Sequence, residues 1–155
     1  MKRILSLKSR GKVLDLGCGT GENSIFLAKN GFEVTAFDKI ESSLHKTRNL
    51  AFANNVFVNT CLKDVTNFRT EEKFDIILFL GILHNLEERQ AAELVKYSRK
   101  ITNIGGMHVL DIYPVSNSLN PVGIKDMYRD WNVIEFREMM ENGNNFYRLI
   151  ALRLG

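Results

Sequence analysis

Apolar residues along this chain follow two periods, and the periods alternate. Near-continuous apolar runs sit around residues 12–17, 33–38, 56–60, 74–80 and 107–113, and between them apolar residues recur every three or four positions. That alternation predicts an α/β fold with a parallel sheet. The first strand covers 12–17 and leads into a helix over about 22–30, closed by Gly31 as a left-handed C-terminal cap. A strand over 33–38 follows, then a helix over about 41–54 with Ile40, Leu44, Thr47 and Ala51 spaced to face the sheet. Residues 56–60 read as the third strand. Residues 74–80, Phe-Asp-Ile-Ile-Leu-Phe-Leu, are the strongest strand and read as buried on both faces. Asn85 caps the next helix with Glu88 at the capping-box position, and Ala91, Leu94, Val95 and Ser98 share one face. Gly105 and Gly106 close that segment before a strand over 107–113.

The ending differs in kind. Residues 131–140 and 145–154 are strand-like runs joined by Glu-Asn-Gly-Asn, which predicts a β-hairpin. One strand of the sheet then runs antiparallel to the rest.

The chemistry concentrates where the first strand breaks. Residues 13–21 read Val-Leu-Asp-Leu-Gly-Cys-Gly-Thr-Gly. Gly17, Gly19 and Gly21 allow backbone angles that a Cβ forbids and let main chain approach a ligand closely. The following helix points its positive end at whatever lies over the loop. The dinucleotide fingerprint Gly-x-Gly-x-x-Gly does not fit, because the third glycine comes one position early and Glu22 takes its place. Asp15 suits a cationic amine or sulfonium better than a phosphate.

In an open α/β sheet, ligands bind at the carboxyl ends of the strands. Asp38 ends the second strand, 17 residues beyond Gly21, where a carboxylate can accept from both ribose hydroxyls or cap the next helix; the two roles are compatible. Asp64-Val65 follows the third strand, as a contact to an exocyclic amine or as a surface turn. Phe79, Leu80 and Gly81 end the fourth.

Composition constrains this picture only loosely. At 155 residues the chain reads as one domain, 1–155, with 45 % apolar and 25 % charged residues. A net charge of +3 neither demands nor excludes nucleic acid. Lys2, Arg3, Lys8, Arg10 and Lys12 read as a solvated basic arm rather than a nucleic-acid contact. Cys18 and Cys61 form no disulfide framework, which fits a reducing cytoplasm. Neither a signal peptide nor a membrane span is present in the pattern. No Cys/His cluster has metal-ligand spacing, so no metal is expected. Cys18 reads as loop filler, and His45 and His108 are not site residues.

Asp-x-Gly-x-Gly-x-Gly at 15–21 resembles motif I of the class I S-adenosylmethionine-dependent methyltransferases. With Asp38, Asp64-Val65 and residues 74–86, the resemblance extends over nearly the whole chain. The stretches Asp-Leu-Gly-Cys-Gly-Thr-Gly-Glu-Asn-Ser (15–24), Asn-Gly-Phe-Glu-Val-Thr-Ala-Phe-Asp (30–38) and Lys-Asp-Met-Tyr-Arg-Asp-Trp (125–131) are similar to the tellurite-resistance-type and thiopurine-type small-molecule enzymes. The resemblance implies a seven-stranded Rossmann-like sheet of order 3-2-1-4-5-7-6. It implies S-adenosyl-L-methionine as cofactor, held by Asp15, Gly17, Cys18, Gly19, Gly21, Asn23, Asp38, Lys39, Asp64, Val65, Phe79, Leu80 and Gly81. For His84 it leaves three readings open: packing over the cofactor, a general base, or no role.

The acceptor is narrowed by what is missing. The fourth strand ends Phe-Leu-Gly-Ile, not the Asn/Asp-Pro-Pro-Tyr/Phe that grips base amines, and no Pro-Cys pair is present. A small-molecule acceptor leads, with protein or RNA second. A non-catalytic cofactor-binding module and a nicotinamide oxidoreductase are the competing classes, and a homodimer stays open. About eleven residues precede the first strand, and the connection 114–130 is short. The acceptor pocket is therefore open, completed by another subunit, or missing.

Overall fold

A computed structural model describes residues 1–114 and 120–155 of the chain. Seven strands form a mixed sheet of order 3-2-1-4-5-7-6. The chain divides into two compact units, Met1–Arg69 and Thr70–Gly155.

The first unit contains α1 (Lys2–Leu7), β1 (Lys12–Leu16), α2 (Glu22–Lys29), β2 (Glu33–Asp38), α3 (Glu41–Ala53) and β3 (Asn59–Leu62). Its three strands are parallel, with Leu14 beside Thr35 and Ala36 beside Thr60. Gly31 (φ +87°) ends α2 as expected, with Phe32 N–H donating to Leu27 O and Gly31 N–H to Ala28 O.

Three expectations in this unit need correction. The basic N-terminus is not simply a solvated arm. Residues 2–7 form α1, which buries Ile4 while Lys2 and Arg3 stay exposed. Ile40 does not face the sheet; it precedes α3 and is 52 % exposed, while Leu44, Thr47 and Ala51 are buried. The third strand starts three residues late. Asn55 takes φ +53°, and Val56 N–H reaches back to Ala51 O, so residues 54–56 close the helix rather than begin a ladder.

The second unit contains β4 (Phe74–Leu80), α4 (Glu88–Lys100), β5 (Thr102–Ile112), α5 (Pro121–Asp126), β6 (Asn132–Glu141) and β7 (Asn144–Leu152). β4 pairs parallel with β5, β7 pairs antiparallel with β5, and β6 closes the hairpin on β7. Asn142 (φ +51°) and Gly143 (φ +80°) make its two-residue turn. Burial of Ala91, Leu94, Val95 and Ser98 matches the predicted face of α4.

Here too the boundaries shift for physical reasons. Asn85 does not cap α4; it ends a 3₁₀ turn over Leu83–Asn85, and Glu87 caps the helix with Gln90 completing the capping box. Gly105 and Gly106 lie inside β5 rather than before it. A Cβ on Gly106 would fall 2.7 Å from Thr102 Cγ2 and 2.8 Å from Asn103 O, so the glycine permits a bulge where Phe74 pairs with Thr102 but Ile76 with Met107. The connection 114–130 contains α5, started by Asn120, whose Oδ1 accepts from Gly123 N–H, and by Pro121. Residues 115–119 of that connection lie outside the described residues.

Candidate functional site

In the first unit the carboxyl ends of β1, β2 and β3 carry a connected set of polar groups. Asp15 is buried in β1, and Ser24 Oγ, from the inner face of α2, donates to its Oδ2 at 2.6 Å. Burial pushes the Asp15 carboxyl up from 3.8 to about 6; the Ser24 bond opposes this, and Asp38 adds to it. The loop after β1 spends its own N–H groups. Gly17 and Cys18 donate to Phe37 O at 2.8 and 2.9 Å, Gly21 donates to Cys18 O, and Gly19 donates to Asp38 Oδ2 at 2.9 Å. Gly17, Gly19 and Gly21 all take positive φ.

Asp38 therefore holds the loop with one oxygen and the start of α3 with the other, since Ile40 N–H donates to Oδ1 at 2.9 Å. An ionised carboxylate accepts about four hydrogen bonds. Asp38 keeps one open acceptor position on each oxygen among the described residues, which is the requirement for gripping two adjacent hydroxyls. Lys63 N–H donates to Asp38 O and ties the end of β3 to the same place. Asp64 follows immediately, exposed, with Oδ1 accepting from Thr66 N–H and Thr66 Oγ1. Those two bonds hold its carboxyl below the ordinary range, helped by the Lys39 ammonium. Val65 is buried beside it, Lys39 is exposed, and Asn23 is half-buried in the first turn of α2.

Cys18 has no nucleophilic character. Burial pushes its thiol up to about 12, so it stays protonated, and its Sγ lies 3.7 Å from Thr47 Oγ1.

The second unit carries the remaining candidates. Phe79 is fully buried with its ring centroid 5.1 Å from that of His108, so its side chain belongs to the core. Leu80 is half-buried, and Gly81 takes φ +78° with open space where a Cβ would stand. His84 is half-buried, its ring 4.9 Å edge-on from Tyr113. Its Nδ1 is buried without a hydrogen-bond partner among the described residues, and burial pulls its pKa below the ordinary value. Among the described residues no group of three or more His, Cys, Asp or Glu could hold a metal ion.

Sequence reasoning missed Ser24 as the partner of Asp15 and took Thr47 only as a sheet-facing helical residue. Both are buried on their helices; periodicity marked the burial of Thr47 but not what it would meet, and marked neither for Ser24.

The family model described as "Tellurite resistance protein TehB" matches residues 2–146. The chain belongs to the TehB family. A curated relative, the probable S-adenosyl-L-methionine-dependent methyltransferase TehB of Haemophilus influenzae (strain ATCC 51907 / DSM 11121 / KW20 / Rd), is 29 % identical over 160 residues. The match covers 92 % of this chain and 56 % of that protein, so the chain spans little more than half the relative's length. The crystal structure of TehB from Haemophilus influenzae aligns with a TM-score of 0.87 and 26 % identity, over 98 % of this chain and 60 % of that one. The Burkholderia thailandensis 1,6-didemethyltoxoflavin-N1-methyltransferase, solved with bound 1,6-didemethyltoxoflavin and S-adenosylhomocysteine, aligns with a TM-score of 0.82 at 17 % identity. It is covered over 76 % of its length, against 99 % of this chain. At that identity the likeness shows the fold. No helix among the described residues of this TehB-family chain is long and apolar enough to cross a membrane.

Proposed function

We propose that this TehB-family chain transfers a methyl group from S-adenosyl-L-methionine to a small-molecule acceptor. The observation that carries the reading is Asp38: a carboxylate at a strand end, fixed by Gly19 and Ile40 N–H groups, with one acceptor position open on each oxygen. The residues fit the cofactor's functional groups. Asp38 would take the ribose hydroxyls, Asp64 the adenine amine, and Asp15, once ionised, would favour the cationic methionine portion. Asn23, Lys39, Val65, Leu80 and the main chain at Phe79 and Gly81 complete the proposed contacts.

When bound, the cofactor supplies a methyl group already activated on a sulfonium sulfur. The chain's task is then to bind, align and exclude water. In the first unit Asp38 and the glycine loop are held by their own hydrogen bonds, and in the second Gly81 has open space where a Cβ would stand. Burial favours the neutral imidazole of His84, and its Nδ1 has no partner among the described residues, which supports a proton-accepting role for acceptors that must lose a proton. The small-molecule class draws support from the structural neighbour with 1,6-didemethyltoxoflavin bound. A cytoplasmic setting and a homodimer belong to the same reading.

Calorimetric titration with S-adenosylhomocysteine and with NAD tests it. Binding of the first and none of the second is expected. Preference for NAD, or binding without methyl transfer to any of a broad small-molecule panel, would sink the proposal.

A further inference from the structure

The glycine loop leaves one backbone donor unspent. The N–H groups of Gly17, Cys18, Gly19 and Gly21 are all committed, while that of Thr20 has no partner among the described residues. What aims this donor is on the page. A trans peptide holds its C=O and N–H in opposite directions, so the direction of Gly19 C=O fixes that of Thr20 N–H. Thr47, fully buried in the middle of α3, brings its Oγ1 to 3.2 Å from Gly19 O and 3.1 Å from Ser43 O. The same oxygen lies 3.7 Å from Cys18 Sγ, a protonated thiol able to donate to it. The Thr47 side chain also bounds the loop at Gly21, where an added Cβ would fall 2.5 Å from both Thr47 Cγ2 and Oγ1.

We propose that Thr47 is a positioning residue for the cofactor loop: its hydroxyl anchors Gly19 C=O on the α3 side and thereby turns Thr20 N–H outward as the loop's ligand donor. The inference rests on the methyltransferase reading for the identity of the ligand, but not for the geometry of the loop. A helical threonine hydroxyl ordinarily bonds back to the carbonyl four residues earlier. Here Ser43 O and Gly19 O compete for one proton, and the loop carbonyl gains an anchor from a neighbouring element. Thr47→Val keeps the shape and removes the hydroxyl, whereas Thr47→Ser keeps the hydroxyl and removes the methyl.

The test uses the full chain with S-adenosylhomocysteine as probe. Thr47→Val should bind about tenfold more weakly, the loss of roughly one hydrogen bond. Thr47→Ser should bind within about twofold of the unaltered protein. The Thr20 amide resonance should shift on binding in the unaltered protein and in Thr47→Ser. In ligand-free Thr47→Val that resonance should move from its normal position. Equal affinity for Thr47→Val, or a Thr47→Ser variant as weak as Thr47→Val, overturns the inference. If Thr47→Val does not fold, a Thr47→Ser variant that binds about tenfold more weakly, or whose ligand-free Thr20 amide is displaced from its position in the unaltered protein, overturns it. If the unaltered protein ignores S-adenosylhomocysteine, the functional reading fails instead, and the ligand-free Thr20 amide still decides Thr47.

Discussion

Two buried polar clusters in this chain both carry displaced ionisations, yet they differ in what they leave unspent. In the first unit, Asp15, Ser24, Asp38 and Thr47 converge on the loop after β1, and Asp38 retains acceptor positions on both oxygens. In the second, His108 is fully buried with both ring nitrogens occupied, Nε2 by Thr102 Oγ1 at 2.8 Å and Nδ1 by Tyr128 Oη at 2.7 Å. Trp131 and Phe79 pack on the same imidazole, and Arg99 lies 5.8 and 5.3 Å from the Tyr128 and Trp131 ring centres. Burial, aided by Arg99, pulls His108 from 6.5 down to about 3. A perturbed pKa marks both clusters. The His108 imidazole has both ring nitrogens spent, with only Ser98 Oγ and Arg99 Nε buried and unpartnered near it among the described residues. Asp38 instead keeps an acceptor position on each carboxylate oxygen. What separates the two is which group stays unspent: a carboxylate with paired acceptor positions at a strand end in the first, and in the second a shifted ring that is fully bonded.

The sharpest way to break this contrast is His108→Ala. It leaves a cavity and strips Tyr128 Oη of its hydrogen bond, while Thr102 Oγ1 keeps its bond to Ser98 O. Unfolding stability should therefore fall by about 3–5 kcal/mol, and the S-adenosylhomocysteine dissociation constant should stay unchanged. A weakened ligand affinity would place His108 in the functional machinery.

Next comes the pH dependence, where the two clusters oppose each other. The folded state keeps the Asp15 proton up to about pH 6, whereas the unfolded chain releases it near 3.8. That contribution is full below 3.8 and is lost as pH rises to about 6, worth roughly 3 kcal/mol. His108 works the other way: its contribution is full above 6.5 and is lost as pH falls toward 3. Asp15→Asn should remove the first slope from a denaturation series and leave the second. Both slopes persisting would mean that Asp15 is not the titrating group.

Asp38→Ala should weaken S-adenosylhomocysteine binding by about 1–3 kcal/mol, read by calorimetry. An unchanged constant removes Asp38 from the site. The smallest contrast lies within the loop. Gly19→Ala meets open space and should cost only the left-handed backbone penalty, about 1–2 kcal/mol. Gly21→Ala adds a collision with Thr47 and should cost about 1 kcal/mol more, measured as the difference in denaturation midpoints. Equal losses would show that Thr47 yields freely.

Much of the fold was legible because local signals and burial agreed. β2 and β4 fall on their predicted residues, since both are apolar runs bounded by unambiguous turns. The hairpin was legible from two strand-like runs joined through Asn-Gly, whose left-handed preference selects the turn. The third strand was misplaced because Val56 and Phe57 look like strand residues while the chain is still closing α3. Phe57 ends 81 % exposed. Within the site, Asp15, the glycines and Asp38 could be named from spacing at strand ends. The bond from Gly19 N–H could not, because it depends on how two strand ends meet, whereas that from Ile40 N–H is local and agrees with the capping role read for Asp38.

The sequence by itself determined the alternation of strands and helices, the hairpin ending and the identity of the loop, because each is set by local periodicity and by where only glycine or asparagine tolerates positive φ. The tertiary structure decided which of those groups remain available. Ser24, Thr47 and the thiol of Cys18 turn inward to shape the loop, Asp38 divides itself between two backbone N–H groups, and Thr20 N–H is left over. Hydrogen-bond accounts close in three dimensions, between residues as far apart as 19 and 47, and no local pattern records that balance.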